Sequence, residues 1–343
     1  MSREEAKAVA ESSDKKGVKE GAVDVKSLHN FEDVLEMVGT TGTFNILVII
    51  VCAAVGFVTP MQILSAGFLG TIPDHWCQVE QLVDANWTQD EIRSFAAPNN
   101  ESCEVLDYDY GVAAQLGYST AMEHPGLVPL VNRTVPCSSR FFAPGILSIV
   151  NEWDLVCDRL ALYSTTIAAA QIGLFISSLL FGYLLDSLGR RIVIRICTAL
   201  FVPCGLLIAV SVNVHMYSFF RVCVCMCGFG MYLGGFVLSM ELCTPSQRSL
   251  VSSYYVIPWA IGYMATAIIA YVVHYWRYLQ VALTLPAAVL FINFFIIPES
   301  PRWLVQRGRH EEALKELQKM ADKNKRELPP SDQMLETLRR ICP

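Results

Sequence analysis

The feature that most constrains the fold of this chain is a short break between two long apolar runs. The runs cover residues 161–185 and 192–212, and the break holds Asp186, Arg190 and Arg191. Each run is long enough to span a bilayer, which takes about 20 apolar residues. Because the break is short, we expect two antiparallel helices joined by a tight turn, and the paired arginines indicate that this turn faces the cytoplasm.

Further apolar runs predict that most of the chain is a bundle of membrane-spanning helices. Only 17% of the residues are charged, whereas soluble domains carry about 25%. An even number of spans places both termini on one side, and the basic residues beyond residue 298 indicate that this side is the cytoplasm. The predicted fold class is an all-α polytopic membrane protein with spans at 44–68, 161–185, 192–212, 216–242, 250–273 and 278–297.

These spans divide the chain into five parts. Residues 1–42 form a polar cytoplasmic tail that ends in an amphipathic helix, which we expect to lie on the membrane surface. The other parts are the first transmembrane helix at 43–70, a large loop at 71–160, transmembrane helices 2–6 at 161–297, and the start of a cytoplasmic loop at 298–343. Short helices are predicted at 311–320 and 331–341.

The loop between the first two spans has a composition unlike the rest of the chain. Residues 71–158 hold 13 acidic residues, 3 arginines and no lysine. Clustered glycosylation sequons and an even number of cysteines are typical of an extracellular, glycosylated, disulfide-linked domain. Four cysteines allow three pairings, and the sequence does not choose between them. The sequon asparagines are Asn86, Asn100 and Asn132, and the cysteines are Cys77, Cys103, Cys137 and Cys157.

Several functional classes are excluded by the residues present. The net charge of −6 argues against nucleic acid as a partner. The run Cys223, Cys225, Cys227 looks like a metal cluster, but a two-residue step on a helix turns the side chain by about 200°, so the three thiols cannot converge. No nucleophile, phosphate loop or carboxylate pair has a usable spacing. We therefore expect no enzyme activity, no metal and no cofactor.

The turn between the second and third spans resembles a known transporter signature. Its pattern, G-x-x-x-D-x-x-G-R-R from Gly182 to Arg191, is similar to the loop motif of the major facilitator superfamily, although Ser187 stands where that family usually has Arg or Lys. Other stretches resemble one branch, the organic cation, carnitine and organic anion transporters of solute carrier family 22. These stretches are 68–77, 151–158, 276–280 with 285–286, and 298–304.

This resemblance implies a larger architecture than the present chain. The family has twelve spans in two six-helix halves, with the substrate held near the membrane midplane between the halves. The chain is similar to the N-terminal half, including the large loop after the first span. The expected partner is therefore the missing C-terminal six-helix half, and the chain is either a fragment or a truncated product.

The resemblance also implies a cytoplasmic gate. Charged groups at helix ends would pair in the outward-open state and part in the inward-open state. The alternative is that they are ordinary charges that follow the positive-inside rule or snorkel to the interface. The same two interpretations apply to Arg221, which matches an arginine in the family's fourth helix. The predicted gate residues are Asp186, Arg190, Arg191, Glu241 and Arg248.

A substrate cavity is implied in the same way. Aromatic faces attract organic cations, and the predicted spans carry no acidic residue at mid-membrane that could pair with one. Each candidate could instead face lipid or pack between helices. The residues that fall where relatives line the cavity are Gln171, Tyr232, Phe236, Tyr254 and Tyr255.

The expected function is transport of small organic cations or zwitterions such as carnitine across the plasma membrane by alternating access. The close alternative is an organic anion transporter of the same family. A second alternative is a non-transporting half that regulates a full-length transporter. The expected partners are a small organic ion and the lipid bilayer, and both termini are expected in the cytoplasm.

Overall fold

The computed structural model describes residues 30–40, 42–97, 102–124 and 133–341, which form two compact units. One unit covers Thr43–Ser300, and the other joins Met1–Gly42 to Pro301–Pro343. The helices in chain order are α1 Phe31–Val38, α2 Thr43–Leu69, α3 Glu80–Asp84, α4 Gln89–Ala96, α5 Tyr110–Leu116, α6 Tyr118–Glu123, α7 Ile149–Trp153, α8 Leu160–Leu188, α9 Arg190–Ala209, α10 Val214–Glu241, α11 Pro245–Val272, α12 Trp276–Thr284, α13 Asn293–Ile296, α14 Pro301–Gln306, α15 His310–Asn324 and α16 Ser331–Ile341.

Among its described residues, the larger unit holds six segments that are long and apolar enough to cross a membrane, which confirms the predicted fold class. They are α2, α8 with the turn before it, α9, α10, α11 and the segment Trp276–Ile296. The helix α10 packs against α2, α8 and α9, and α11 packs against α2. Two glycines allow this close packing, since a Cβ on Gly173 would lie 2.6 Å from the carbonyl of Val222 and one on Gly262 would lie 2.3 Å from that of Phe57.

The break between α8 and α9 is much shorter than the sequence predicted. Helix α8 continues through Asp186 to Leu188, and α9 begins at Arg190. The charged residues sit in a helix end, where a polar side chain does not interrupt the backbone hydrogen bonds. Only Gly189 leaves the helical conformation, with a φ of 97° that favours glycine.

The sixth span changes its helix type along its length. It starts as α12, becomes a 3₁₀-helix over Leu285–Ile292 and ends as α13. Pro286 lies in the first turn of the 3₁₀ segment, and proline removes one backbone donor and clashes with the preceding helical turn. The sequence predicted one uniform helix at 278–297, so the proline changes its form without ending it.

The segment between α2 and α8 forms a small loop domain. Strand β1 (His75–Gln78) pairs antiparallel with β4 (Ser139–Phe142), and β2 (Glu104–Leu106) pairs with β3 (Thr134–Pro136). The four loop cysteines form the disulfides Cys77–Cys137 and Cys103–Cys157, which answers the pairing that the sequence left open. The apolar core of the domain comprises Leu82, Trp87, Ile92, Phe95, Ala113 and Ala121.

The loop domain is tied to the spans by one acidic residue in α7. The carboxylate of Glu152 accepts a hydrogen bond from Trp276 Nε1 at 2.7 Å and forms an ion pair with Arg277. Arg277 also donates to the carbonyls of Ala209 at 2.7 Å and Ser211 at 2.9 Å, where α9 ends. The start of the sixth span therefore holds both the loop domain and the end of the third span.

The smaller unit corrects the prediction for the first helix. The apolar face of α1, with Phe31, Val34, Leu35 and Val38, is buried in protein rather than laid on a membrane surface. Helix α1 packs against α15, whose own apolar side is also buried. An amphipathic face has the same sequence pattern whether lipid or another helix covers it.

Two of the three sequons fall outside the described residues, namely Asn100 and Asn132. Asn86 is exposed and follows α3, with a positive φ of 61° that asparagine tolerates. Thr88, the third residue of the same sequon, caps α4. The site at Asn86 is therefore on the surface of the loop domain.

Candidate functional site

Six aromatic side chains of α10 and α11 form one continuous cluster, the aromatic wall. The ring of Tyr232 lies 5.0 Å from that of Tyr255 and 4.7 Å from that of Trp259. The partners on each helix are three or four residues apart, so they share one face. The members of the wall are Phe229, Tyr232, Phe236, Tyr255, Trp259 and Tyr263.

Tyr255 anchors the wall and is almost completely buried. Its side chain is 1% exposed, and its hydroxyl donates to the carbonyls of Cys52 at 3.0 Å and Tyr232 at 3.2 Å. The hydroxyl reaches these carbonyls because Gly235 has no side chain, since a Cβ there would lie 2.6 Å from it. Tyr255 therefore joins α2, α10 and α11.

The other predicted cavity residues separate into two groups. Tyr232 and Phe236 are half-buried members of the wall. Tyr254 is 59% exposed and takes no part in the ring contacts between described residues. Gln171 is exposed on α8 and makes no side-chain hydrogen bond within the described part of the chain.

Sequence reasoning missed three members of the wall, Phe229, Trp259 and Tyr263. The signal was available, because Tyr255, Trp259 and Tyr263 follow one another at intervals of four residues and so lie on one helical face. Following that interval also separates Tyr255, which belongs to the series, from Tyr254, which does not.

A buried polar cluster joins α2, α10 and α12 near the loop-domain end of the helices. Arg221 is 0% exposed and donates to the backbone carbonyl of Gln62 at 2.6 Å. The side chain of Gln62 accepts from Gln280 at 3.0 Å and donates to Thr284 at 3.1 Å. These hydrogen bonds connect polar side chains of three spans inside the bundle.

Arg221 is therefore in the interior and does not lie at an exposed helix end. Within the described residues its Nε and Nη1 have no hydrogen-bond partner, and no carboxylate lies within ion-pair distance. A buried cation in an apolar medium is costly unless it is compensated. The cluster thus places an uncompensated positive charge inside the bundle.

At the opposite end of the helices, Arg190 is the centre of a second polar cluster. Its Nη2 lies 2.8 Å from Oε1 of Glu241 and 3.1 Å from Oδ1 of Asp186, and its Nη1 donates to the carbonyl of Leu185 at 2.9 Å. The Asp186 side chain is 75% exposed, whereas those of Arg190 and Glu241 are 6% and 15% exposed. Burial makes the pair with Glu241 the stronger of the two.

Glu299 completes this cluster and was not among the predicted site residues. Its Oε1 accepts the backbone N–H groups of Arg190 at 2.9 Å and Arg191 at 3.2 Å, which begin α9. Burial raises the pKa of the Glu299 carboxyl, and the backbone hydrogen bonds offset only part of that rise. A carboxylate from the end of the sixth span thereby caps the third span.

The two remaining predicted gate residues lie at the same end. Arg191 is half-buried and joins the cluster through its backbone N–H group. Arg248 is half-buried in the first turn of α11. Glu241 makes its ion pair with Arg190.

Comparison with known families gives one match over most of the chain. Residues 107–341 match the family described as sugar (and other) transporter. The "Organic cation transporter-like protein" of Drosophila melanogaster is 30% identical over 312 residues, which is 90% of this chain. The "Solute carrier family 22 member 13" of Homo sapiens is 30% identical over 88% of this chain.

A solved structure shares the fold. The partially occluded inward-open form of the xylose transporter XylE from E. coli aligns with 87% of this chain at a TM-score of 0.51 and 18% identity. The chain spans about half the length of the curated relatives it matches, covering 53% of the fly protein and 55% of the human one.

Proposed function

The chain belongs to the sugar (and other) transporter family of the major facilitator superfamily, where its relatives are organic ion transporters of solute carrier family 22, and from this we propose that it forms the N-terminal six-helix half of such a transporter. The substrates are small organic cations or zwitterions such as carnitine. The activity is transport and not catalysis.

The aromatic wall is the observation that carries this proposal. Tyr232, Phe236 and Trp259 are half-buried and present ring faces beside one another. Ring faces attract a cation within about 6 Å, and they do so most strongly where water is excluded. The described spans carry no acidic side chain at mid-membrane, so in this half the rings supply the attraction for a cation.

In the proposed orientation, the protein lies in the plasma membrane. The loop domain faces the outside of the cell, and both termini face the cytoplasm. Two disulfides in the loop domain support this orientation, because disulfides persist in oxidising compartments. The unpaired cysteines Cys223, Cys225 and Cys227 lie in a span. The cluster around Arg190 then lies at the cytoplasmic end.

Transport proceeds by alternating access, and the Arg190 cluster closes the cytoplasmic side. Arg190 links the ends of the second and fourth spans through Asp186 and Glu241. Glu299 links the start of the third span to the end of the sixth. These contacts hold the half together as one body that can rock against a second half.

Two alternatives remain distinct from this proposal. The uncompensated charge of Arg221 favours an organic anion as substrate, because a positive interior lowers the cost of bringing in an anion. The second alternative is a non-transporting half that regulates a full-length transporter.

Uptake measurements separate the three functions. Cells expressing the longest reading frame that contains this chain are given labelled tetraethylammonium, carnitine or p-aminohippurate. Saturable uptake of the first two that falls with Trp259→Ala, at matched surface levels, supports the proposal. Uptake of p-aminohippurate alone would replace the substrate class. The chain expressed alone beside a full-length relative should lower that relative's uptake only if it is a regulatory half.

A further inference from the structure

A cavity of about 280 Å³ opens at the loop-domain end of the spans, away from the aromatic wall. It lies between the last turn of α2, with Phe68, the last turn of α11, with Ala270 and Tyr271, and the start of α12, with Trp276. Leu147, which precedes α7, covers it from the loop side. We propose that this cavity holds one acyl chain of a membrane phospholipid.

The lining favours a hydrocarbon ligand. None of the lining residues, all in the described part of the chain, is Lys, Arg, Asp or Glu. The hydroxyl of Thr71, which lines the cavity, already donates to the carbonyl of Phe68 at 3.0 Å. The N–H of Leu147 donates to the carbonyl of His274 at 3.0 Å, and the N–H of Trp276 donates to that of Leu147 at 2.9 Å. The lining therefore offers an organic ion no lysine, arginine or carboxylate as an ion-pair partner.

The volume suits a single chain. Pockets for drug-sized ligands measure about 300–1,000 Å³, so this cavity lies just below that range. A mostly apolar space accepts a flexible hydrocarbon segment without leaving polar groups of the ligand unsatisfied. The backbone hydrogen bond from Leu147 to His274 holds in place the loop segment that covers the cavity.

The depth and the surroundings point to a lipid. The cavity is level with the helix ends, where interfacial tyrosines are enriched in membrane proteins. Tyr271 is 83% exposed, and Tyr278 is 69% exposed on the neighbouring segment. The exposed apolar face of α11 leads to the opening through Ile268 and Val272. A chain can therefore enter from the leaflet while the headgroup stays beside the exposed His274.

Photo-crosslinking in vesicles tests this proposal. The purified chain is reconstituted in phosphatidylcholine that carries a diazirine on its acyl chain, irradiated and mapped by mass spectrometry. Adducts are expected on peptides that contain Leu147 or Tyr271. Ala270→Phe fills the cavity and should lower their yield about tenfold. The matched control Ala260→Phe adds the same bulk at an exposed position of α11 outside the cavity lining and should leave the yield unchanged.

Further arms of the experiment keep the result decisive. Leu147→Trp narrows the cavity from the loop side and should act like Ala270→Phe, provided that both disulfides still form. Equal adduct yields in the wild type and both filling variants would overturn the proposal. Labelling by a diazirine fatty acid but not by the phospholipid would also overturn it, because the ligand would then be a free fatty acid. Neither result bears on the transported substrate.

Discussion

Arg190 Nη2 lies 2.8 Å from Oε1 of Glu241, although the two residues are 51 positions apart in the sequence. Both are largely buried, and the second carboxylate oxygen of Glu241 has no partner among the described residues. The pair is therefore an interior contact between helix ends. Its removal should lower the free energy of unfolding by more than the loss of a surface ion pair does.

Glu241→Gln should destabilise the chain by about 2–4 kcal/mol, because it leaves the buried Arg190 without its main countercharge. Asp186→Asn is the matched control and should cost less than about 1 kcal/mol, since Asp186 is mostly exposed. Thermal unfolding in detergent measures both changes. Equal effects of the two substitutions would show that burial does not distinguish the pairs. The double change Arg190→Gln with Glu241→Gln should cost less than the sum of the single changes.

Glu299 should make stability depend on pH. Because burial raises its pKa in the folded state from the ordinary 4.5, folding favours the protonated carboxyl. That contribution is complete below pH 4.5 and is lost as the pH rises through the folded-state pKa. The melting temperatures of the wild type and Glu299→Gln are measured from pH 4 to pH 8. The melting temperature of the wild type, relative to that of the variant, should be higher at low pH than at high pH. A constant difference would contradict the assigned pKa direction.

The hydroxyl of Tyr255 should matter for stability, although its ring is not a substrate contact. Tyr255→Phe removes hydrogen bonds to two buried carbonyls and should cost about 1 kcal/mol in unfolding free energy. Tyr254→Phe makes the same chemical change on the exposed neighbour and should stay within about 0.5 kcal/mol of the wild type. A larger loss at Tyr254 would mean that the two tyrosines have been assigned the wrong roles.

The disulfide pattern gives a direct prediction for mass mapping. Non-reducing digests should contain the linked pairs Cys77–Cys137 and Cys103–Cys157, and Cys223 should be recovered as a free thiol. Replacing both members of one pair by serine should lower stability by about 2–4 kcal/mol. Recovery of the alternative pair Cys77–Cys103 would contradict the fold of the loop domain.

Glycosylation should follow the proposed orientation. Glycosidase treatment of the protein made in animal cells should lower its apparent mass, because Asn86 is exposed on the loop domain. Joint replacement of Asn86, Asn100 and Asn132 by glutamine should abolish the shift. An unchanged wild type would place the loop domain in the cytoplasm. A shift that persists in the triple variant would mean that the glycan lies elsewhere.

The spans could be predicted because their signal is local. About 20 consecutive apolar residues specify a membrane helix whatever lies around it, and the end of α8 follows from one glycine with a positive φ. The bounds were less accurate where polar residues continue a helix beyond the membrane. Thus α11 begins at Pro245, five residues before the predicted start at residue 250.

The contacts between distant segments could not be predicted in the same way. Glu299 caps α9 across 109 residues through backbone groups, which have no residue-specific pattern. Whether the Arg221 side chain is buried depends on how α2 and α12 pack around it. The aromatic wall could be predicted only in part. The spacing of its residues along α11 can be read from the sequence, but the packing of Tyr255 against α2 cannot.

The smaller unit also has a consequence for the order of synthesis. The side chain of Asn324 at the end of α15 donates to the carbonyl of Val38 at the end of α1, 286 residues earlier. Chains emerge from the ribosome at about 5–20 residues per second with the N-terminus first, so α1 waits many seconds for the helix that covers its apolar face. During that time all six spans are made and inserted. A chaperone that binds short amphipathic helices would find α1 exposed throughout the insertion of the spans.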